Sequence, residues 1–106
     1  MTILLLEFFK KRVYHRDMKR YHIIFRGQVQ GVGFRYLMAM QAEAHDLGGS
    51  VLNLPNGDVE AYLEGEEKRI MEVIDYFLQN PHYVYVEDYC LQEVPLTNSR
   101  TFNVLY

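Results

Sequence analysis

The residues best suited to chemistry are Arg35 and the two glycines just ahead of it, in the run Gly27-Gln28-Val29-Gln30-Gly31-Val32-Gly33-Phe34-Arg35. Arginine presents a planar fork of N–H donors that matches two phosphate oxygens. Gly31 and Gly33 lack the Cβ atoms that would oppose positive φ and close backbone approach. A glycine-bearing turn that opens a helix points several unpaired N–H groups at one spot, an arrangement suited to an oxyanion. The residues fit an anion cradle over Gln30, Gly31, Val32, Gly33 and Phe34, clamped by Arg35, and fit a purely structural turn equally well. A second candidate, Asn53, closes a strand-like run just before a turn. Its amide carries both a donor and an acceptor, enough to hold one water in a fixed orientation. An asparagine in such a position more often serves the turn itself, and spacing alone leaves both uses open.

Several other chemistries are excluded. The cradle has no Gly-Lys-Ser/Thr and no Gly-x-Gly-x-x-Gly, so neither a P-loop nor a dinucleotide fingerprint is present. His15, His22, His45 and His82 lack metal-ligand spacing with each other or with Cys90, so no metal and no cofactor are expected. No nucleophile stands beside a recognisable base. His22 falls on the polar side of its strand, and His45 lies near a helix end, where a protonated ring favours the dipole.

These residues need elements to hold them. Tyr21–Val29 alternates Ile23, Phe25 and Val29 against His22, Arg26 and Gln28, as a half-buried strand does. A helix is expected from Phe34 to Asp46, stopped by Gly48-Gly49. Strands over Gly49–Leu54 and Asp58–Glu64 flank Pro55-Asn56-Gly57, a strong hairpin signal. Ile70, Val73, Ile74, Phe77 and Leu78 form one apolar stripe on a second helix, Glu66–Gln79, ended by Asn80-Pro81. In Tyr83–Glu93 the apolar parity changes between Val86 and Tyr89, which a bulge near Glu87-Asp88 would reconcile. Thr101–Leu105 reads as a last short strand. The order βαββαβ plus a terminal strand packs most economically as an α+β ferredoxin-like sandwich, with two helices on one face of a mainly antiparallel sheet.

The cradle also resembles the acylphosphatase signature, of which Gly27-x-Val29-Gln30-Gly31-Val32-Gly33-Phe34-Arg35 is nearly the whole. A second block of that family stands at compatible spacing: Gly49-Ser50-Val51-Leu52-Asn53, Asn56-Gly57, Val59-Glu60 and Gly65. The resemblance runs from Tyr21 to Tyr106 and implies the same fold. It further implies that Arg35 binds phosphate, that Asn53 positions the attacking water, and that small acyl phosphates are hydrolysed to carboxylate and inorganic phosphate. Such a reaction suits so spare a site, because a carboxylate leaving group has a conjugate-acid pKa near ~4 and needs no general acid. Charge neutralisation and a water held in line are sufficient. Ser50 stands where the family commonly has an aromatic, and Leu52 where a polar or basic residue is usual.

Composition sets the remaining bounds. The chain has 106 residues and a single cysteine, so it forms one domain with no internal disulfide, consistent with a cytoplasmic location. Cys90 is expected as a small core or interface residue. No apolar run reaches the ~20 residues of a membrane span, and Ile3–Leu6 makes no convincing secretory signal. Net charge is −3, yet eight of the eleven Lys and Arg residues lie at or before Arg35, against two acidic ones. Residues 1–19 are accordingly expected as an extension outside the core, with the domain spanning 20–106. Besides the enzyme, two readings compete. One is a non-catalytic binding module for a protein partner, since this domain also occurs within larger hydrogenase-maturation proteins. The other is RNA binding, which the acidic neighbours of Tyr62 disfavour. Neither nucleic acid nor membrane is expected as a partner.

Overall fold

The computed structural model describes residues 17–106. The alternation around Ile23 and Phe25 forms β1, which runs Met18–Gln28. It begins upstream of the apolar pattern because backbone pairing needs no side-chain periodicity: Met18 and Lys19 pair with Glu66 and Gly65. Both therefore lie within the sheet, although they had been expected in the N-terminal extension. The rest of that extension, residues 1–16, falls outside the described residues. The other elements are α1 (Phe34–Ala44), β2 (Gly48–Asn53), β3 (Val59–Glu66), α2 (Glu67–Leu78), β4 (Tyr85–Val94) and β5 (Phe102–Val104).

The strands form one sheet in the order β4-β1-β3-β2-β5. Every neighbouring pair is antiparallel except β2 and β5, which are parallel. Both helices cover one face, and the ferredoxin-like α+β arrangement follows. Phe25 from β1, Phe34 from α1 and Phe77 from α2 meet between the layers, with ring centroids 4.4–6.0 Å apart. Around them Ile23, Met38, Val51, Val59, Leu63, Ile70 and Val73 are fully buried. Fully burying one such side chain stabilises the fold by about 1.5–3 kcal/mol, so the predicted stripes are the main source of stability.

The expected bulge is present. Arg26 pairs with Asp88 and Gly27 with Val86, which leaves Glu87 as the extra residue on β4. At Gly27 φ is +129°, and a Cβ there would collide with the Tyr85 carbonyl. The α1 terminus differs from expectation. Asp46, at φ 57°, makes the left-handed step, with Asp46 N–H bonding the Glu43 carbonyl at 3.2 Å and Leu47 N–H bonding Ala42 at 2.8 Å. This is the Schellman pattern, and it releases Gly48 and Gly49 to open β2. Cys90 is exposed on edge strand β4 and takes no part in the core. Its partner in β1 is Ile24, which faces away from the helices.

On the open face Glu64 is the single buried charged residue among those described, 2% exposed. It accepts hydrogen bonds from Arg20 (2.9 Å), from Thr97 Oγ1 (2.9 Å) and N–H (3.2 Å), and from Asn98 N–H (2.8 Å). Burial pushes its pKa up, but the bonds from Thr97, Arg20 and Asn98 outweigh this and hold it below the usual value. The carboxylate thereby ties the β4–β5 connection to the centre of the sheet. That connection in turn brings β5 alongside β2.

Candidate active site

Val29, fully buried, ends the β1 segment inside the core, and Phe34, 2% exposed, starts α1 there. The chain must turn between these two anchors. It does so with Gly31 at φ 74° and Gly33 at φ 79°. A Cβ at either position would meet no protein atom within 4 Å, so positive φ, and not close approach of protein backbone, is what requires glycine. Val32, half-buried, packs its side chain against the core between them.

The first α1 hydrogen bond is Leu37 N–H to the Gly33 carbonyl, at 3.0 Å. The N–H groups of Phe34, Arg35 and Tyr36 precede that ladder, at the positive end of the helix dipole. No acidic residue lies in this first turn to compete for an anion. Phe34 stacks on Phe77 at 4.4 Å, which fixes the helix start and turns Arg35 outward from the core.

Arg35 is held from two sides. Its Nη1 donates to the Leu105 carbonyl at 2.9 Å, and its guanidinium carbon lies 4.6 Å from the centroid of the Tyr106 ring. The fork is thus pre-oriented, with Nε and Nη2 left to meet an anion. The register explains how the last residues arrive there. Val104 of β5 pairs with Val51 of β2, and Leu105 N–H bonds the Val51 carbonyl at 2.8 Å. Nothing in the periodicity of residues 101–106 marked this contribution; it arises from the parallel placement of β5.

Asn53 is the last residue of β2. The β4-β1-β3-β2 order brings that end beside the β1–α1 turn, and Gly31, Gly33, Arg35, Asn53 and Tyr106 line one open cavity of about 260 Å³. Asn53 Oδ1 is buried and has no hydrogen-bond partner in the protein. An unpaired buried polar atom costs about 1–3 kcal/mol, which a polar guest in the cavity would offset. The two sequence blocks, about twenty residues apart, therefore meet at one place. Of the expected loop residues, Gln30 and Val32 do not line this cavity. Val32 packs against the core, and the Gln30 side chain donates to the carbonyls of Leu54 (2.7 Å) and Asp58 (2.8 Å).

The chemistry this geometry allows is binding of a small oxyanion at a helix N-terminus beside one amide that can orient water. Among the described residues, no three His, Cys, Asp or Glu side chains are grouped to hold a metal ion. No helix among them is long and apolar enough to cross a membrane.

The chain is similar to known proteins over most of its length. The acylphosphatase family model matches residues 21–104. An acylphosphatase of Acaryochloris marina is 39% identical over 82 residues, covering 77% of this chain and 88% of that protein. The solved acylphosphatase of Coxiella burnetii superposes with a TM-score of 0.81 at 30% identity, covering 87% of this chain and 97% of that one. A full-length HypF, in its phosphate- and nucleotide-bound form, matches with a TM-score of 0.78 at 30% identity; the match spans 84% of this chain but 12% of HypF. Family model, sequence identity and fold agree over most of the length, and the chain belongs to the acylphosphatase family.

Proposed function

We propose that this acyl phosphate hydrolase cleaves small acyl phosphates to a carboxylate and inorganic phosphate, without a metal, using Arg35 and the loop amides to hold the phosphoryl group and Asn53 to position water. The carrying observation is that Arg35 and Asn53, whose buried Oδ1 has no partner in the protein, line one cavity at the α1 N-terminus. The phosphoryl oxygens take the N–H groups of the turn together with Nε and Nη2 of Arg35. These donors neutralise charge on the equatorial oxygens, where a loose transition state spreads it. The water oxygen, held by the Asn53 amide, forms a bond to phosphorus as the bond from phosphorus to the acyl oxygen breaks. The electron pair of that bond leaves on the carboxylate, and the water's proton passes to phosphate or solvent.

No acid is required at the leaving oxygen, because a carboxylate is a weak base. Phosphate monoesters would release a far more basic alkoxide, which this site has no means to protonate. Ser50 and Leu52 depart from common family residues, yet both lie on β2 before the cavity-lining Asn53 and do not themselves line it. The competing module reading draws on the HypF match alone, whereas the full-length family relatives favour the enzyme.

The test is loss of benzoyl phosphate absorbance with purified protein, alongside competition by inorganic phosphate. Asn53→Ala is expected to lower kcat by ~10²-fold while phosphate inhibition stays nearly normal, since water orientation acts on the chemical step. A collapse in phosphate affinity with kcat preserved would make Asn53 a binding residue instead.

A further inference from the structure

We infer that Gln30 is a positioning residue that sets Asn53 against Arg35, and that its side chain makes no contact with the anion. This rests on the roles proposed above for those two residues. The two hydrogens of Gln30 Nε2 are both committed, to Leu54 O at 2.7 Å and to Asp58 O at 2.8 Å. Only an amine can face two carbonyl oxygens, so the amide orientation is unambiguous. What remains is Oε1, an acceptor, which an oxyanion would repel.

Both carbonyls belong to the β2–β3 turn, and one sits on the residue directly after Asn53. That turn is already closed on itself, with Leu54 N–H bonding Asp58 O at 2.8 Å and Gly57 N–H bonding Leu54 O at 3.1 Å. Gln30 fills the second lone pair of each oxygen. The hairpin carrying Asn53 is thus stapled to the loop carrying the anion-facing N–H groups. No other hydrogen bond recorded in the structure joins that loop to that turn. Catalytic geometry is sensitive to such a joint, since a displacement of about 1 Å can cost roughly 10²-fold in rate.

Gln30→Met keeps the length and volume of the side chain and removes both donors. The expected result is a ~10- to 100-fold fall in kcat on benzoyl phosphate with inhibition by inorganic phosphate within about 3-fold of wild type. In the Asn53→Ala background the same change should lower kcat little further, because the group being positioned is gone. Weakened phosphate inhibition with kcat kept, or full additivity of the two substitutions, would overturn the proposal. If Asn53→Ala alone retains wild-type turnover, the role of Asn53 fails and the proposal fails with it, a result distinct from additivity.

Gln30→Glu is the second variant, in case Gln30→Met does not fold. As a carboxylate it cannot donate, and two facing carbonyl oxygens disfavour its charge, so its pKa should rise. On protonation it regains one O–H donor. Asp58, whose carbonyl accepts from Gln30, and Arg26, which pairs with the Asp58 carboxylate at 3.6 Å, are the charged groups at this contact and are common to wild type and variant. The ratio of Gln30→Glu to wild-type kcat should therefore climb as pH falls from 7 to 5. A ratio that is flat across this range would overturn the assignment.

Discussion

Replacing Arg35 by lysine keeps the charge and changes the geometry, so it isolates what the guanidinium contributes. In the folded protein Nη1 is spent on the Leu105 carbonyl at 2.9 Å, and the guanidinium carbon lies over the Tyr106 ring, 4.6 Å from its centroid. That leaves Nε and Nη2 for two phosphoryl oxygens at once. A lysine ammonium has no fixed fork; it must choose between the Leu105 carbonyl and the anion, and it meets the anion as a point charge. Losing one pre-oriented donor at a site of developing charge costs about 2.7–4 kcal/mol. Losing the stacked contact on an exposed ring adds about 0.5–1 kcal/mol. Together these predict a drop of roughly 10²- to 10⁴-fold in kcat/KM. Stability should change by less than about 1 kcal/mol, because Arg35 lies outside the core. The assay is benzoyl phosphate turnover with inorganic phosphate as competitor, and urea unfolding checks the fold. Activity within about 3-fold of wild type with unchanged phosphate inhibition would refute the two-donor account of Arg35.

Three further outcomes are expected. Turnover should persist in excess EDTA; inactivation with rescue by a single divalent ion would replace the metal-free scheme. Glu64→Gln should cost about 2–4 kcal/mol at pH 7, because it weakens a buried, fully bonded carboxylate facing Arg20. Since the folded pKa of Glu64 is lowered, its contribution is fully present above the unfolded value near ~4.3, declines below it, and is lost as pH falls through the lower folded value. The gap in urea midpoint between wild type and variant should therefore be narrower at pH 3.5 than at pH 7, and an unchanged gap would contradict the linkage. A chain starting at Met18 should keep full kcat/KM and lose at most about 1–2 kcal/mol. The described loss is one hydrogen bond, from Glu67 N–H to the Asp17 carbonyl at 3.0 Å, worth about 1 kcal/mol. An unfolded or inactive product would show that the upstream residues belong to the fold.

Much of the architecture was legible because its causes are local. The apolar stripe of α2, the alternation in β1 and the parity change in β4 each record which side of one element faces the core. The bulge at Glu87 is the clearest case, since a change of parity along a strand has few other physical remedies. The element ends were less legible. Asp46 adopts a left-handed conformation next to two glycines better suited to it, because Leu47 is buried as the hydrophobic partner of the helix end. Cys90 looked apolar and strand-bound, but strand type does not reveal whether a strand lies at an edge.

The site divides in the same way. By itself the sequence determined the glycine turn, the helix start and the arginine, since these lie within nine consecutive residues and their conformations follow from φ limits and helix termini. Spacing left Asn53 open between turn and site, and it left Gln30 counted as part of the anion cradle. Only the tertiary structure decided that β2 ends beside the β1–α1 turn, that Gln30 spends both amide hydrogens on the hairpin, and that Leu105 and Tyr106 hold Arg35. Those contacts join residues 24, 28 and 70 positions apart. They depend on strand order, which no single segment encodes, because each strand's pattern specifies a face and not a neighbour.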